Sequence, residues 1–167
     1  MTSAAELDVE RLLGTLTSHG VDYVVIGGIA SVLWGSGRAT FDLDVCPATD
    51  EANLEALGQA LVELDARLRG VEEDVPFVPD ARALAKLEIL TLTTSAGALD
   101  VLIRPNGAPA YERLRRDAQR VRVGVFAVLV ASIQDLIAMK RAAGRPKDDV
   151  DIEELEAIQR VSRRRRR

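Results

Sequence analysis

The stretch GGIASVLWGSGRATFDLDV, residues 27–45, places four glycines and two aspartates around a short apolar run. Asp42 and Asp44 flank Leu43 in a segment that is otherwise typical of a buried strand. Because side chains alternate between the two faces of a strand, both aspartates point the same way while Leu43 points into the core. Two like charges about 7 Å apart beside an apolar strand are costly unless a cation neutralises them. The stretch therefore predicts a cation site on one face of a strand.

A third aspartate has the same setting later in the chain. Asp100 lies between Leu99 and Val101 in the apolar segment ALDVLI, which predicts a second strand. Three aspartates from two neighbouring strands would form an oxygen-rich site for a hard divalent ion such as Mg²⁺ or Mn²⁺. The structural alternative is that Asp100 simply pairs with an arginine, Arg38 or Arg104.

The glycines at the start of the stretch predict a phosphate site. A strand over DYVVIG (22–27) leads through Gly27 and Gly28 into a short helix. Backbone N–H groups at such a helix N-terminus bind phosphate, and glycine has no Cβ to block its approach. Ser36 is a second candidate phosphate donor. Alternatively, the two glycines serve only close packing of strand against helix. A phosphate site beside an acidic triad indicates metal-assisted phosphoryl or nucleotidyl transfer.

These residues together resemble a known family. The pattern apolar–Gly–Gly, a gap of thirteen residues and Asp–apolar–Asp–apolar runs from Ile26 to Val45. It resembles the signature of the DNA polymerase β-like nucleotidyltransferases. These proteins carry a third carboxylate on a later strand between apolar residues, and Asp100 has that setting here. The local form GRATFDLD (37–44) is similar to the branch that contains the aminoglycoside and lincosamide nucleotidyltransferases and the AbiEii-type toxins.

The C-terminal region carries a second resemblance. The segment DLIAMKRAAGRPKDDVDI (135–152) resembles the AbiEii-type ending, in which a helical lysine is followed by K/R-D-x-x-D. Lys140 and the run from Lys147 to Asp151 match that ending. The likeness therefore extends over about residues 20–155, and the chain resembles a minimal version of the family.

The resemblance implies a metal-dependent enzyme that transfers a nucleoside monophosphate from an NTP to a hydroxyl acceptor. The acceptor would be an RNA end, a protein side chain or a small molecule, and the chain would be one component of a toxin–antitoxin pair with a cognate partner. Its implied metal ligands and catalytic residues are Asp42, Asp44 and Asp100. Its implied nucleotide-binding residues are Gly27, Gly28, Ser36, Arg38 and Lys140. The alternative for Arg38 is that it pairs with Asp42 and orders the turn. The alternative is an inactive nucleotidyltransferase-like binding module, such as an antitoxin.

Charge and composition limit the class of protein. The chain has 167 residues, 47% of them apolar, and a net charge of −4, as expected of one globular domain. Its single cysteine, Cys46, excludes an internal disulfide. The N-terminus does not match the pattern of a signal peptide and no apolar run reaches membrane-spanning length, so we expect a cytoplasmic protein with no membrane partner.

The charges are unevenly distributed along the chain. Residues 1–100 sum to −11 and residues 101–167 to +7, with five arginines at the end, Arg163 to Arg167. We expect a nucleotidyltransferase-like domain over residues 1–160 and a basic, disordered tail over 161–167. The alternative function for the tail is contact with nucleic acid.

Periodicity predicts an α/β (α+β) single domain, a mixed sheet of about five strands flanked by helices. The predicted hairpin comprises 87–94 and 98–104, and further strand lies within 120–131. A helix capped by Thr49 is expected to carry a leucine stripe as far as Leu68. The other predicted helices cover about 5–18, 109–118, 133–143 and 148–160, and residues 71–85 are predicted as a loop.

Overall fold

The computed structural model describes residues 5–71 and 77–167, which form seven helices and one seven-stranded sheet. The helices are α1 (Val9–Ser18), α2 (Gly27–Trp34), α3 (Glu51–Glu63), α4 (Ala81–Ala85), α5 (Tyr111–Asp117), α6 (Ile133–Ala143) and α7 (Pro146–Arg165). The strands are β1 (Tyr23–Ile26), β2 (Asp42–Pro47), β3 (Arg67–Leu68), β4 (Ile89–Thr94), β5 (Gly97–Leu102), β6 (Gln119–Val123) and β7 (Phe126–Val130).

The sheet is mixed, with strand order β3-β4-β5-β2-β1-β7-β6. β1 is an interior strand, and all four of its residues are buried. It runs antiparallel to β2 and parallel to β7, while β2 runs parallel to β5. Two hairpins, β4–β5 and β6–β7, form the flanks of the sheet. The mixed α/β fold that the sequence predicts is confirmed.

The core follows from strand alternation. On β2 and β5 the side chains of Leu43, Val45, Leu99 and Val101 are fully buried. The positions between them are only half-buried, and these hold the aspartates. α3 supplies Leu54, Leu57 and Leu61 to the same core. The apolar pattern therefore sets which face of the sheet is available for polar side chains.

The helices form two groups around this sheet. α1 packs against β7 and α3, and α3 packs against α4. α2 packs against β1, β2 and α6, and α7 lies along α6 and also contacts α2. The second group borders the aspartates, because α2 begins directly after β1, which is the neighbour of β2 in the sheet.

Several elements differ in detail from the sequence prediction. The sheet has seven strands rather than about five, because β3 adds a short edge strand and 119–130 form two strands. α3 is capped by Asp50 rather than Thr49, since the Asp50 carboxylate accepts from the Asn53 N–H at 3.0 Å. α3 also ends at Glu63, so Leu68 belongs to β3.

Two further differences concern the predicted loop and tail. Within the predicted loop 71–85, α4 forms a short helix, while residues 72–76 lie outside the described residues. α7 continues to Arg165, so a helix covers most of the segment for which the sequence predicts a disordered tail. The division into residues 1–160 and 161–167 stays a prediction. None of the helices in the described residues combines the length and apolarity needed to cross a membrane.

Candidate functional site

The parallel pairing of β2 with β5 brings the three predicted aspartates together. Asp44 lies beside Asp100 in the register, and Asp42 lies beside Ala98. One carboxylate oxygen from each of Asp42, Asp44 and Asp100 lies within 4.8 Å of the others. All three side chains are half-buried. We call these three residues the acidic triad.

The negative charge of the triad is only partly compensated by neighbouring groups. Burial raises the pKa of the Asp44 carboxyl to about 7, and the charges of Asp42 and Asp100 add to the effect. The backbone N–H of Gly28 and the charge of Arg145 lower this pKa only in part. A carboxylate that is crowded in this way favours a bound cation.

Asp100 has a partner that the sequence analysis did not identify. The guanidinium of Arg69 donates to Asp100 Oδ1 at 2.8 Å and to the Leu92 carbonyl at 2.7 Å. Arg69, rather than Arg38 or Arg104, is therefore the cation beside Asp100. Burial still raises the Asp100 pKa, with Arg69 opposing the rise and the charge of Asp42 adding to it.

Close packing explains both glycines at the start of α2. Gly27 has a φ of +70°, and a Cβ at this position would lie 2.1 Å from Asp44 Oδ2. A Cβ at Gly28 would lie 2.7 Å from Thr40 Oγ1. These contacts fit the packing alternative. Ile26 at the N-cap supplies no side-chain hydrogen bond, and the Gly28 N–H donates to the Asp44 carboxylate instead. Phosphate binding by Gly27 and Gly28 stays a prediction.

The remaining predicted nucleotide-binding residues contact α7. Ser36 Oγ donates to Glu154 Oε2 at 2.9 Å, and the Gly37 N–H donates to the other oxygen of that carboxylate at 3.0 Å. Arg38 donates to Asp151 Oδ1 at 2.6 Å rather than to Asp42, the partner that the sequence left open. The loop before β2 is therefore fastened to the last helix.

Lys140 belongs to the same set of contacts. Its Nζ donates to Asp151 Oδ2 at 2.9 Å and lies 4.0 Å from Asp148 Oδ1. Arg145 donates to both oxygens of Asp148, at 2.9 and 3.1 Å. Burial works to raise the Asp148 pKa, but the Arg145 hydrogen bonds and neighbouring positive charges outweigh it and the pKa is lowered. These contacts define the α7 network: Ser36, Arg38, Lys140 and Arg145 with Asp148, Asp151 and Glu154.

The acidic triad and the α7 network adjoin. The charge of Arg145, a member of the α7 network, acts on both Asp44 and Asp151, so the two clusters are close enough to interact electrostatically. Ser36, Arg38 and Lys140 thus lie near the triad's side of the fold but are hydrogen-bonded to α7 carboxylates. Their assignment to nucleotide binding stays a prediction.

Sequence reasoning missed three charged residues of this region. Glu154 could have been found, because Asp148, Asp151 and Glu154 recur every third residue and so share one helix face. Arg145 precedes α7 as its N-cap, where no pattern singles it out. Arg69 follows the short strand β3, and nothing in its local sequence indicates a contact with Asp100.

The donor set of the triad fits a hard divalent cation. Three carboxylates from two strands offer only oxygen ligands, the type that Mg²⁺ and Mn²⁺ prefer. Their mutual repulsion, seen in the raised pKa of Asp44, would be relieved by such an ion. The residues present therefore match the metal that the sequence predicts.

Comparison with known proteins gives matches at the level of structure alone. No protein-family model and no curated protein matches the sequence. The lincosamide antibiotic adenylyltransferase LnuA, bound to lincomycin, matches with a TM-score of 0.60 and 15% identity over 92% of this chain and 99% of that one. The antibiotic-resistance factor ANT(2'')-Ia matches with a TM-score of 0.54 and 12% identity over 94% and 90%.

A third solved structure has a similar fold. It is an antigenic nucleotidyltransferase-like protein from Paracoccidioides brasiliensis, with a TM-score of 0.51 and 17% identity over 92% of this chain and 78% of that one. At these identities the matches establish the fold, and they agree with the resemblance carried by the residues from Ile26 to Val45. The chain has a nucleotidyltransferase-like fold.

Proposed function

We propose that this protein is a metal-dependent nucleotidyltransferase, which transfers a nucleoside monophosphate from an NTP to a hydroxyl acceptor. The observation that carries the proposal is the acidic triad, whose carboxylate oxygens lie within 4.8 Å of one another and of which Asp44 contacts the N-terminus of α2. The antibiotic adenylyltransferases with the same fold support it.

In this proposal the triad residues would hold Mg²⁺ or Mn²⁺, which when bound supplies charge neutralisation at the phosphates and activates the acceptor hydroxyl. The acceptor oxygen forms a bond to the α-phosphorus, and the bond from that phosphorus to the bridging oxygen breaks. Pyrophosphate leaves with the electron pair, and the acceptor proton passes to the Asp100 carboxylate. The backbone N–H groups of Gly27 and Gly28 would bind the β- and γ-phosphates, and the Gly28 N–H would exchange the Asp44 carboxylate for a phosphate oxygen.

Arg38 and Lys140 have a conditional role in this proposal. Both donate to Asp151 in the structure, so a triphosphate would take the place of that carboxylate at one or both cations. Their charge would then stabilise the negative charge that grows on the leaving pyrophosphate. Ser36 would likewise exchange Glu154 for a phosphate oxygen.

The second candidate is a binding module without chemistry, acting as an antitoxin or another nucleotide-binding partner. An inactive relative has no need for a third carboxylate, because two aspartates suffice to hold one ion with a nucleotide. Here Asp100 is present and lies beside Asp44 in the register. This geometry favours the enzyme. Membership of a toxin–antitoxin pair and a cytoplasmic location stay predictions of the sequence.

The test compares wild type with Asp100→Asn, which keeps the shape of the side chain and its ability to accept from Arg69. The protein is incubated with Mg²⁺ and each α-³²P-labelled NTP, alone and with total RNA or cell extract. Wild type should transfer label to an acceptor, and the variant should be slower by at least about 10²-fold, the usual effect of removing a positioned base. Binding of Mg²⁺–NTP should remain within about tenfold.

The two candidate functions give different results in this experiment. Wild type that binds Mg²⁺–NTP but labels nothing would support the binding module. A fully active Asp100→Asn variant would show that the third carboxylate is assigned incorrectly.

A further inference from the structure

A cavity of about 410 Å³ lies at the open edge of β4, beyond the short strand β3. Eight of the ten residues that line it are apolar, among them Val71, Phe77, Val78 and Ile89. Val78 and Ile89 are 66% and 58% exposed, so the cavity opens to solvent. The volume lies within the range of sites that hold small organic ligands.

Two polar residues connect this cavity to the acidic triad. Arg69 lines the cavity and donates to the Asp100 carboxylate at 2.8 Å. Thr91 also lines it and pairs directly with Asp100 in the β4–β5 register, so the two side chains share one face of the sheet about 5 Å apart. A molecule in the cavity would therefore have its polar end against Arg69 and Thr91, the two lining residues that neighbour Asp100.

The position of the cavity fixes the role it can have in the reaction. The N-terminus of α2, where the phosphates are proposed to bind, adjoins Asp44 on the other side of the triad. The strand order places β4 and β5 on one side of β2 and β1 on the other. The cavity thus lies on the Asp100 side of the triad, and the N-terminus of α2 lies on the Asp44 side. An acceptor hydroxyl has to approach the α-phosphorus from the side away from the leaving pyrophosphate, which matches this placement.

We propose that this cavity is the acceptor site, and that the acceptor is a small molecule with an apolar body and a hydroxyl group. This inference rests on the proposed transferase function and narrows its acceptor class. The apolar walls would hold the body of the molecule, and Thr91 and Arg69 would orient its hydroxyl toward Asp100. An RNA end is a poorer match, because single-stranded RNA binds to basic grooves with several stacking aromatic rings. Among the described lining residues there are one cation, Arg69, and one aromatic ring, Phe77.

The first test measures binding directly and does not depend on catalysis. Cyclohexylmethanol, which has an apolar ring and one hydroxyl, is titrated into the protein while backbone amide chemical shifts are followed by NMR. We expect saturable shifts at Ile89, Thr91 and Arg69. Ethylene glycol, which has hydroxyls but no apolar body, and a trinucleotide of RNA with a free 3′-hydroxyl should give none.

Matched variants locate the binding. Ile89→Glu and Val78→Glu each place a charge on the cavity wall at an exposed position, so both chains should fold. Each should weaken cyclohexylmethanol binding by at least about tenfold, because a charge disfavours an apolar ligand. The control is Val62→Glu on α3, which is 68% exposed and lies outside the cavity lining; it should bind the alcohol like wild type. All three should bind Mg²⁺–NTP like wild type.

The outcomes separate this inference from the proposed function. Alcohol binding at these amides together with transfer of a nucleoside monophosphate from an NTP to cyclohexylmethanol, slowed in Ile89→Glu and Val78→Glu, supports both. Transfer to RNA with no alcohol binding would overturn the acceptor class and leave the transferase function standing. Alcohol binding without nucleotide transfer to any acceptor would overturn the transferase function and the acceptor role together. Equal alcohol binding by wild type and both cavity variants would overturn the location.

Discussion

The acidic triad and the α7 network are adjacent clusters of charged side chains that differ in how their charge is balanced. In the α7 network the carboxylates of Asp148 and Asp151 each accept from a cation, at distances of 2.6 to 3.1 Å. In the triad three carboxylates crowd together, and Arg69 is the one cation in the described residues that donates to them. Charge is balanced within the chain in the first cluster and left for a ligand to balance in the second.

This difference separates structural from functional use of the same residue types. An ion pair whose two charges balance holds two secondary-structure elements together. It leaves no net charge to bind a ligand. A cluster of like charges destabilises the fold that carries it, so its presence on two core strands indicates a role beyond folding. This difference supports a ligand-binding role for the acidic triad more strongly than for Arg38 and Lys140.

The largest expected effect concerns the pH dependence of stability in the absence of metal. The pKa of Asp44 is raised from 3.8 to about 7 in the folded chain. Protonation of Asp44 in the folded chain stabilises the fold. This contribution is fully present below about pH 4 and is lost as the pH rises through 7. The free energy of unfolding should fall over this range by an amount on the order of 4 kcal/mol. Urea unfolding at pH 4 to 8 in EDTA measures it.

Asp44→Asn is the matched variant for this pH series. The introduced amide would remain neutral at every pH, so the metal-free variant should be more stable than wild type at pH 8 and similar to it at pH 4. Taking the difference between the two proteins removes the titration of all other groups. Parallel curves for wild type and variant would show that the triad carries no such excess charge.

The next effect is stabilisation by ligand. An NTP should raise the thermal stability of wild type only when Mg²⁺ or Mn²⁺ is present, because metal must separate the phosphates from the triad carboxylates. At 100 times its dissociation constant the complex should add roughly 2.7 kcal/mol. Asp44→Asn should lose most of this gain. Stabilisation of equal size in wild type and variant would place the nucleotide elsewhere.

The smallest expected effect comes from opening the α7 network. Asp151→Ala removes the shared partner of Arg38 and Lys140, and Lys140 is only 11% exposed. Stability should fall by about 1–3 kcal/mol, the cost of leaving a partly buried donor without its partner. The Kd for Mg²⁺–NTP should also decrease, because two cations lose a competing carboxylate. An unchanged Kd would assign both cations to the structural network alone.

The triad was predictable because its signal is local. Asp42, Asp44 and Asp100 each lie between apolar residues, and strand alternation alone places them on the polar face. The pairing of β2 with β5 cannot be derived from the two segments, but the family resemblance supplied it. The edge strand β3 was missed because Leu68 continues the leucine spacing of α3, and two residues are too few to show alternation.

The partners of the site were not predictable from local pattern. Arg69 meets Asp100 from 31 positions away, and Ser36 meets Glu154 from 118 positions away. Such contacts depend on how the helices and edge strands pack against the rest of the fold. The hydrophobic periodicity of the sequence does not reveal that packing. The sequence left Arg38 with Asp42 as its alternative partner, whereas docking of α7 brings Asp151 to it instead.

The parallel register of β2 and β5 has a consequence for how the protein folds. Asp44 and Asp100 are 56 positions apart, and α3, β3, α4 and β4 must all be laid down before the two strands can pair. Closure of such a long loop is entropically unfavourable and slows folding. A nascent chain that ends before β5 would therefore lack the complete triad. If the triad binds Mg²⁺ as proposed, the ion should stabilise only those refolding molecules in which β2 and β5 have already paired.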